Sequence, residues 1–569
     1  MFHQNLLIRP GIVKPTGEKI QCDQFLDPEE AGGLDWIVMI AETRTFFREG
    51  FMGARLISKL PSFLKQPITS DDAHRAVRSR LNRREEDFLE HVRRFIYARP
   101  DSPYLRLLKS AGCGIGDVQR LVREEGLEGA LKHLYDKGVY LTSKEFHGRC
   151  EVVRGGCRFR IRPSSLMNSL STPHIPLRSS GSRSSGTPVL TDLSFFRDTA
   201  VDTVLYLDAR KSIASEKATW EVPGGVALYR ILTLSLSGIP PAHWFSQVDP
   251  AGPGLNLRYK GSTRVLALGG WLAHFPLPRP RYVSLEDPLP IVRWMEDSLR
   301  RGQTPHLFTY ASSAVRLSLR ALDMGVDLKG AQITMSGEPT TEARLKTVRR
   351  SNAEVFPAMG SAECGYVGYG CLSPESPDDM HLLKDLHAVI QPDHGDDRSG
   401  LTSKSLLVSS LRPSAPLIML NVSLGDQAEL RTRNCGCPMG DIGLDVHLEH
   451  VRSPEKLTSG GMACFDSDII QILEDVLPSR FGGAPTDYQL VEDESEDGNP
   501  RLKLIVHPSV GPVDETQLKS AFLEAVRSGA GAEKLTSMVW RDTGILVVER
   551  GLAKTTASGK IQHMHIQRP

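Results

Sequence analysis

A chain of 569 residues is too long for one hydrophobic core and implies roughly three to four domains or subdomains. Apolar residues make up 40% and charged residues 24%, as in ordinary globular proteins, and a formal net charge of +1 gives no steering toward nucleic acid or an anionic membrane. Met1 to Gly11 has no apolar signal core, and Val226 to Phe245, interrupted by Arg230, Pro240 and Pro241, falls short of the roughly 20 apolar residues that span a bilayer.

Residues from about 34 to 140 predict helices. Val77, Leu81, Phe88, Val92 and Phe95 recur at spacings of three, four and seven, with Arg and Glu between them. Tyr104 to Leu107, Val118 to Leu121 and Leu127 to Leu134 predict further short helices, broken at Gly112, Gly114 and Gly138. Gly148 to Arg178 reads as a Pro-, Ser- and Arg-rich connector. Short apolar runs then alternate with helical patterns: Val204 to Tyr206, Val265 to Leu268, Ile333 to Met335, Val355 to Phe356 and Leu406 to Val408. Strands alternating with helices argue for an α/β sheet. After about Arg452 a smaller unit begins. In it, Tyr488 to Val491 and Leu502 to Val506 predict a hairpin around an acidic, solvated tip, Glu492 to Gly498.

Several short motifs lie on this frame. Ser179-Ser180-Gly181-Ser182-Arg183-Ser184-Ser185-Gly186-Thr187-Pro188 gathers six hydroxyls, two glycines and an arginine ahead of an apolar stretch. Such a loop is either a flexible connector or a cradle of N–H and hydroxyl donors for a polyphosphate. Thr187-Pro188 stands where a Walker A loop needs Lys-Ser/Thr, which disfavours a P-loop NTPase. Gly365 to Gly370 has the glycine order of a dinucleotide fingerprint reversed, and there is no Gly-x-Ser-x-Gly elbow. Ser336-Gly337-Glu338-Pro339 and Met359-Gly360-Ser361-Ala362-Glu363 each follow a strand-like run, where open α/β sheets bind ligands. Gly425-Asp426 offers a carboxylate for vicinal hydroxyls, and Ser558-Gly559-Lys560 places a lysine after a small, flexible pair. Singly, each reads equally well as a turn, a helix cap or a solvated lysine.

In this order the motifs resemble those of the adenylate-forming superfamily: acyl-CoA synthetases, nonribosomal adenylation domains and luciferases. The resemblance is greatest to the phenylacetate–CoA ligase branch and the related acyl-protein synthetases. It covers roughly residues 95 to 569 and is carried also by Ser102-Pro103-Tyr104, Gly138 to Thr142 and Tyr488 to Val491. It implies an α/β (α+β overall) fold. Residues 1–150 would form a helical N-terminal region, 151–452 the core with nucleotide and substrate sites in β-sheet subdomains, and 453–569 a small mobile α+β lid. It implies that Ser180, Gly181, Ser182, Arg183, Ser184, Ser185, Gly186 and Thr187 hold the β- and γ-phosphates of ATP. Glu363 would ligate Mg²⁺ and Ser361 would contact the α-phosphate. Gly337, Glu338 and Pro339, with Met359 and Gly360, would line the adenine slot, Asp426 would clamp the ribose, and Arg452 would precede the hinge. Lys560 would bridge the acid and the α-phosphate, where charge develops in the transition state.

Cysteine usage adds a second constellation. Nine irregularly spaced cysteines in so long a chain do not make a disulfide framework, so a reducing cytoplasm is expected. Cys371, His381, Cys435 and Cys437 could complete a tetrahedral structural Zn²⁺ site, and the phenylacetate–CoA ligase branch has a similar pattern. The alternative is a set of buried free cysteines. Cys364, beside Glu363, is disfavoured as a ligand, and Cys464 is either an acyl-carrying thiol or inert.

The chain also departs from the family. Four residues separate Gly181 from Gly186 where two are usual, Met359 replaces an adenine-stacking aromatic, and Pro454 falls near the usual hinge aspartate. The acid pocket is expected between Tyr229 and Ser313, with Trp244, Phe245, Trp271, His274, Phe275 and Tyr310 as candidate walls. The functional expectation is adenylation of a small aryl or acyl carboxylic acid, then transfer to coenzyme A, by a monomer or homodimer without nucleic acid or membrane partners. Alternatives are transfer to a carrier protein, an amine or a protein cysteine, and a silent relative that binds nucleotide or a partner.

Overall fold

The computed structural model describes residues 50–178, 188–249, 257–395, 399–453, 458–459, 462–463, 466–494, 500–527, 546–556 and 559–566. The chain divides into two compact units, Met1–Met52 and Gly53–Pro569, and the second carries the site.

Its frame is a twelve-stranded sheet. In chain order the strands are β1 (Glu216–Glu221), β2 (His243–Ser246), β3 (Pro280–Tyr282), β4 (Pro305–Tyr310), β5 (Gln332–Ser336), β6 (Glu354–Ser361), β7 (Gly365–Gly370), β8 (Met380–Leu382), β9 (His387–Ile390), β10 (Ser405–Ser410), β11 (Val422–Thr432) and β12 (Val446–Arg452). Across the sheet the order is β9-β10-β11-β12-β8-β7-β6-β5-β4-β1-β2-β3. From β3 to β6 all neighbours are parallel. From β6 to β9 all are antiparallel. In the parallel half β4 and β5 are buried at every residue, as expected of strands with both faces covered. Several of their polar side chains are bonded internally: Thr309 donates to the Trp220 carbonyl (2.7 Å), and His306 lies between Ser212 Oγ (2.6 Å) and Thr334 Oγ1 (2.7 Å).

The N-terminal part of this unit is helical. Ser70–Asn82 starts at a capping box in which Thr69 and Asp72 exchange side-chain-to-backbone bonds, and its buried residues include Ala73 and Val77. Phe88, Val92 and Phe95 continue the buried stripe, the last within a π turn, Arg93–Tyr97. Ile115–Asp136 joins two predicted helices across Gly126, whose φ of 71° breaks the regular geometry.

Three expectations are corrected. Val204 to Tyr206 lies inside the helix Leu193–Ala209, and Val265 to Leu268 inside Leu257–Leu272. The first helix is buried on nearly every side, and a short apolar run cannot then distinguish strand from helix. The connector at 148–178 holds an antiparallel hairpin, Glu151–Arg154 with Cys157–Arg160, and the strand Ile175–Arg178. That last strand pairs with Pro188–Thr191, so the two ends of the Ser/Gly loop are pinned together, Arg178 opposite Pro188. The loop itself, 179–187, lies outside the described residues, as do Pro454 and Cys464.

Beyond β12 a four-stranded sheet has its own core, built from Leu473, Leu477, Leu490, Leu504, Phe522 and neighbours. Its strands are β13 (Tyr488–Glu494), β14 (Pro500–Val506), β15 (Leu546–Arg550) and β16 (Met564–Ile566), in the order β15-β14-β13-β16. The predicted hairpin is present as antiparallel β13 and β14.

Candidate active site at the strand ends

Register brings the chemistry to one edge. In the parallel half, Tyr310 sits opposite Ser336, and Ser336 opposite Ala358. Trp220 pairs with Thr309, which sets the next residue, Glu221, alongside Tyr310. The carboxyl ends of β1, β4, β5 and β6 therefore present Glu221, Tyr310, Ser336-Gly337 and Met359–Ser361 side by side, at the edge where open α/β sheets hold ligands. The stem of the Ser/Gly loop reaches the same edge. A Cβ on Gly225, four residues past Glu221, would lie 2.4 Å from the Pro176 carbonyl oxygen.

Lys560 comes to this edge from the C-terminal segment. A Cβ on Gly337 would stand 2.9 Å from Lys560 Cε, 3.2 Å from its Nζ and 3.1 Å from Tyr310 Cδ1. Gly337 also has φ +77°, so both its conformation and its neighbours require glycine. The ammonium lies 5.8 Å from the centroid of the Tyr310 ring, within cation–π reach. Its own turn is tight: Lys560 N–H donates to Thr556 Oγ1 (3.1 Å), and a Cβ on Gly559 would meet Gln247 Oε1 at 2.4 Å.

Glu338 fastens the two segments. The Ile561 N–H donates to its Oε1 (2.7 Å), Ser312 donates through both N–H (2.8 Å) and Oγ (2.9 Å), and Arg344 Nη1 through 3.0 Å. Arg344 reaches further, to the Pro339 carbonyl (3.3 Å), to Glu474 Oε1 through Nε (2.6 Å) and to His563 Nε2 (3.1 Å). His563 in turn lies 2.5 Å from Glu474, which also accepts from Thr341 Oγ1. The side chains of Arg344, Glu338 and Glu474 are each 1% exposed. Burial pushes the Glu474 carboxyl up, but the Arg344 and His563 charges outweigh it and hold it below the usual range.

The remaining motif residues form an adjoining group. β6 carries a bulge between Met359 and Gly360, and a Cβ on Gly360 would lie 2.8 Å from the Gly365 carbonyl oxygen. Ser361 Oγ is 3.2 Å from Cys364 Sγ. Burial pushes that thiol up to about 12, and the charges of Glu363 and Asp426 add to the shift. Asp426 accepts from the Ser453 hydroxyl. Arg452, at the end of β12, lies 3.5 Å from Asp378 and donates to the Val451 carbonyl (2.7 Å). Of the candidate pocket walls, Tyr310 joins the site, whereas Trp271 is 72% exposed and His274 is exposed too. Trp244 and Phe245 are buried. Sequence reasoning missed Glu221, Arg230, Arg344, Glu474 and His563, none of which sits in a motif.

A separate cluster lies where β7, β8 and β12 meet the Cys435-Gly436-Cys437 turn. His381 Nε2 is 3.0 Å from Cys437 Sγ and 3.7 Å from Cys435 Sγ. Ligand atoms of Cys371, His381, Cys435 and His447 all lie within 4.8 Å of one another. His447 thus stands beside the expected set of Cys371, His381, Cys435 and Cys437 as a fifth candidate donor. The two histidines face each other across paired strands, His381 opposite His447. Each is tied through Nδ1, to the Leu444 carbonyl (2.6 Å) and to Asp379 Oδ1 (2.6 Å), and this turns both Nε2 atoms inward. The His447 Nε2 is buried with no hydrogen-bond partner among the described residues. Hydrogen bonds from Cys371 and His381 hold the Cys437 thiol well below its usual range. Three thiols and two oriented imidazoles fit the donor chemistry of a tetrahedral zinc ion, which takes four of the five.

No family model matches the chain and no curated protein matches it. Among solved structures it is similar to 2-hydroxyisobutyryl-CoA ligase in complex with 2-HIB-AMP and CoA, at 13% identity over 88% of this chain and 91% of that one, with a TM-score of 0.40. It is also similar to an anthranilate-CoA ligase in complex with anthranoyl-AMP, at 11% identity over 68% and 65% of the two chains, TM-score 0.40. A third is O-succinylbenzoate coenzyme A synthetase from Bacillus subtilis with ATP and magnesium, at 14% identity over 76% and 80%, TM-score 0.39.

Proposed function

We propose that the chain is an adenylate-forming ligase: it joins a carboxylic acid to the α-phosphate of ATP, releasing pyrophosphate, and passes the acyl group to coenzyme A. The observation that carries this reading is the seat of Lys560 over Gly337, with the neighbouring Ile561 N–H held by Glu338. Attack of a carboxylate on a phosphate ester brings anion to anion, so the site must neutralise charge and fix the reactants in line. Lys560 supplies a cation between them, and Gly337 lets that cation approach the end of β5. Glu338 and Pro339 form the wall on which adenine rests, with Met359 and Gly360 on the adjacent strand end. Asp426 clamps the ribose, and Arg452 leads into the hinge. Ser361 contacts the α-phosphate, and the residues from Ser180 to Thr187 hold the outer phosphates. Glu363 would hold Mg²⁺, which when bound neutralises phosphate charge.

Residues 453–569 act as the lid, and the Glu338–Arg344–Glu474–His563 network is its clasp in the arrangement seen here. The cysteine–histidine cluster holds a structural zinc. A pyrophosphate-release screen over carboxylic acids, with and without coenzyme A, tests the proposal. Release with a thioester product supports it. Release without thioester formation moves the acceptor to a carrier protein or an amine, and no release with any acid overturns it.

A further inference from the structure

Beside Lys560 lies a charged pair that the motif order does not use. Glu221 closes β1 and Arg230 lies on the helix Gly225–Ser235; they are 1% and 4% exposed. Arg230 Nε stands 3.4 Å from Glu221 Oε1, yet the pair is unsatisfied. Among the described residues, neither oxygen of Glu221 has a hydrogen-bond partner, nor do Nε and Nη1 of Arg230. Arg230 Nη2 donates to Ser336 Oγ (2.8 Å), the residue before Gly337. Two neutral groups nearby are orphaned as well: the Tyr229 hydroxyl and Gln247 Oε1, whose amide packs against Gly559. The Lys560 charge is felt at Glu221, where it opposes the upward push of burial.

Buried charges without hydrogen bonds are costly, so such a pair beside a reaction centre calls for a functional explanation. Charge decides what that ligand carries. Glu221 and Arg230 cancel, and Lys560 is balanced by the carboxylate to be activated, while Glu338 and Glu474 are held by Arg344 with His563 beside them. An ammonium group on the acid would leave one buried positive charge uncompensated. An unsubstituted alkyl acid would leave the orphaned atoms as they are. A hydroxyl adds no charge, donates to Glu221 and accepts from Arg230. The Ser336 link places this pair one residue from Gly337, under Lys560, so the hydroxyl lies close to the carboxylate.

We propose, resting on the adenylation reading above, that the acid is a small hydroxy acid, with its hydroxyl on the second or third carbon received by Glu221 and Arg230. The experiment compares ATP–pyrophosphate exchange on matched sets: a 2- or 3-hydroxy acid, the same acid without the hydroxyl, and its amino counterpart. The hydroxy acid should win in the native enzyme. In Glu221→Gln and Glu221→Ala the ratio of kcat/KM for hydroxy over deoxy acid should fall about tenfold to a hundredfold, as for loss of a hydrogen bond to a charged group. A ratio within one preparation does not depend on the fraction folded, so impaired folding of either variant does not blur the result. Preference for the deoxy or amino acid, or an unchanged ratio in both variants, overturns this proposal and leaves adenylation standing. No exchange with any acid refutes adenylation itself and this proposal with it.

Discussion

Gly337→Ala perturbs the contact on which the account turns. The added methyl group would sit 2.9 Å from Lys560 Cε, whereas carbon atoms rest about 3.5–4.0 Å apart. It would also meet Tyr310 Cδ1 at 3.1 Å, but that ring is 3% exposed and has nowhere to move. The lysine therefore yields, by somewhat more than ~0.6 Å, and carries its ammonium off line. A misplacement near 1 Å costs on the order of a hundredfold in rate. A left-handed φ of +77° adds a stability penalty of about 1–2 kcal/mol for alanine. Gly511 separates the two effects, since it has the same φ of +77° with nothing within 4 Å of its would-be Cβ. In ATP–pyrophosphate exchange Gly337→Ala should lose about tenfold to a hundredfold in kcat. Gly511→Ala should lower the unfolding free energy by at least as much, since its ψ of −171° lies in a region that only glycine readily adopts, and should keep native exchange. Native exchange by Gly337→Ala would refute the placement of Lys560 as the bridging cation.

Other expectations follow from the same geometry. Arg344→Leu strips Glu338 and Glu474 of their buried cation and should cost about 3–5 kcal/mol in urea unfolding; an unchanged midpoint contradicts the clasp. Asp202, facing Arg80 and Asp385, is pushed well above the ordinary aspartate value of 3.8, first by burial and then by the Asp385 charge. The folded state thus keeps a proton that the unfolded chain releases, and stability falls as pH rises from 3.8 through the raised folded value. Asp202→Asn should therefore melt above the native protein at pH 8, by a margin that narrows toward pH 5, and a lower melting temperature at pH 8 would count against the proton. Metal analysis should find one zinc per chain, retained until a strong chelator lowers the melting temperature. A metal-free protein with native melting behaviour contradicts the zinc assignment.

Much of this site could be read before folding, for a physical reason. Gly337, Glu338, Glu363, Asp426 and Lys560 lie in short motifs whose residue types are set by backbone conformation and charge, so their order along the chain carries information. The hairpin at 488–506 was legible because both strands are adjacent and apolar. What stayed hidden depends on non-sequential neighbours. Glu221 meets Tyr310 only because β1 lies beside β4, and Arg344, Glu474 and His563 meet from three distant segments. His447 faces His381 through the pairing of β8 with β12, which no local spacing announces. The run at 204–206 misled because a helix buried on nearly all sides loses its amphipathic period.

The most direct test of adenylation is mass-spectrometric detection of the acyl-AMP itself, with ATP, Mg²⁺ and an acid that supports pyrophosphate release. The native protein should form acyl-AMP, and Lys560→Ala of equal melting temperature should form none. Acyl-AMP formed at the native rate by Lys560→Ala, or ADP in place of AMP products from the native protein, would contradict it.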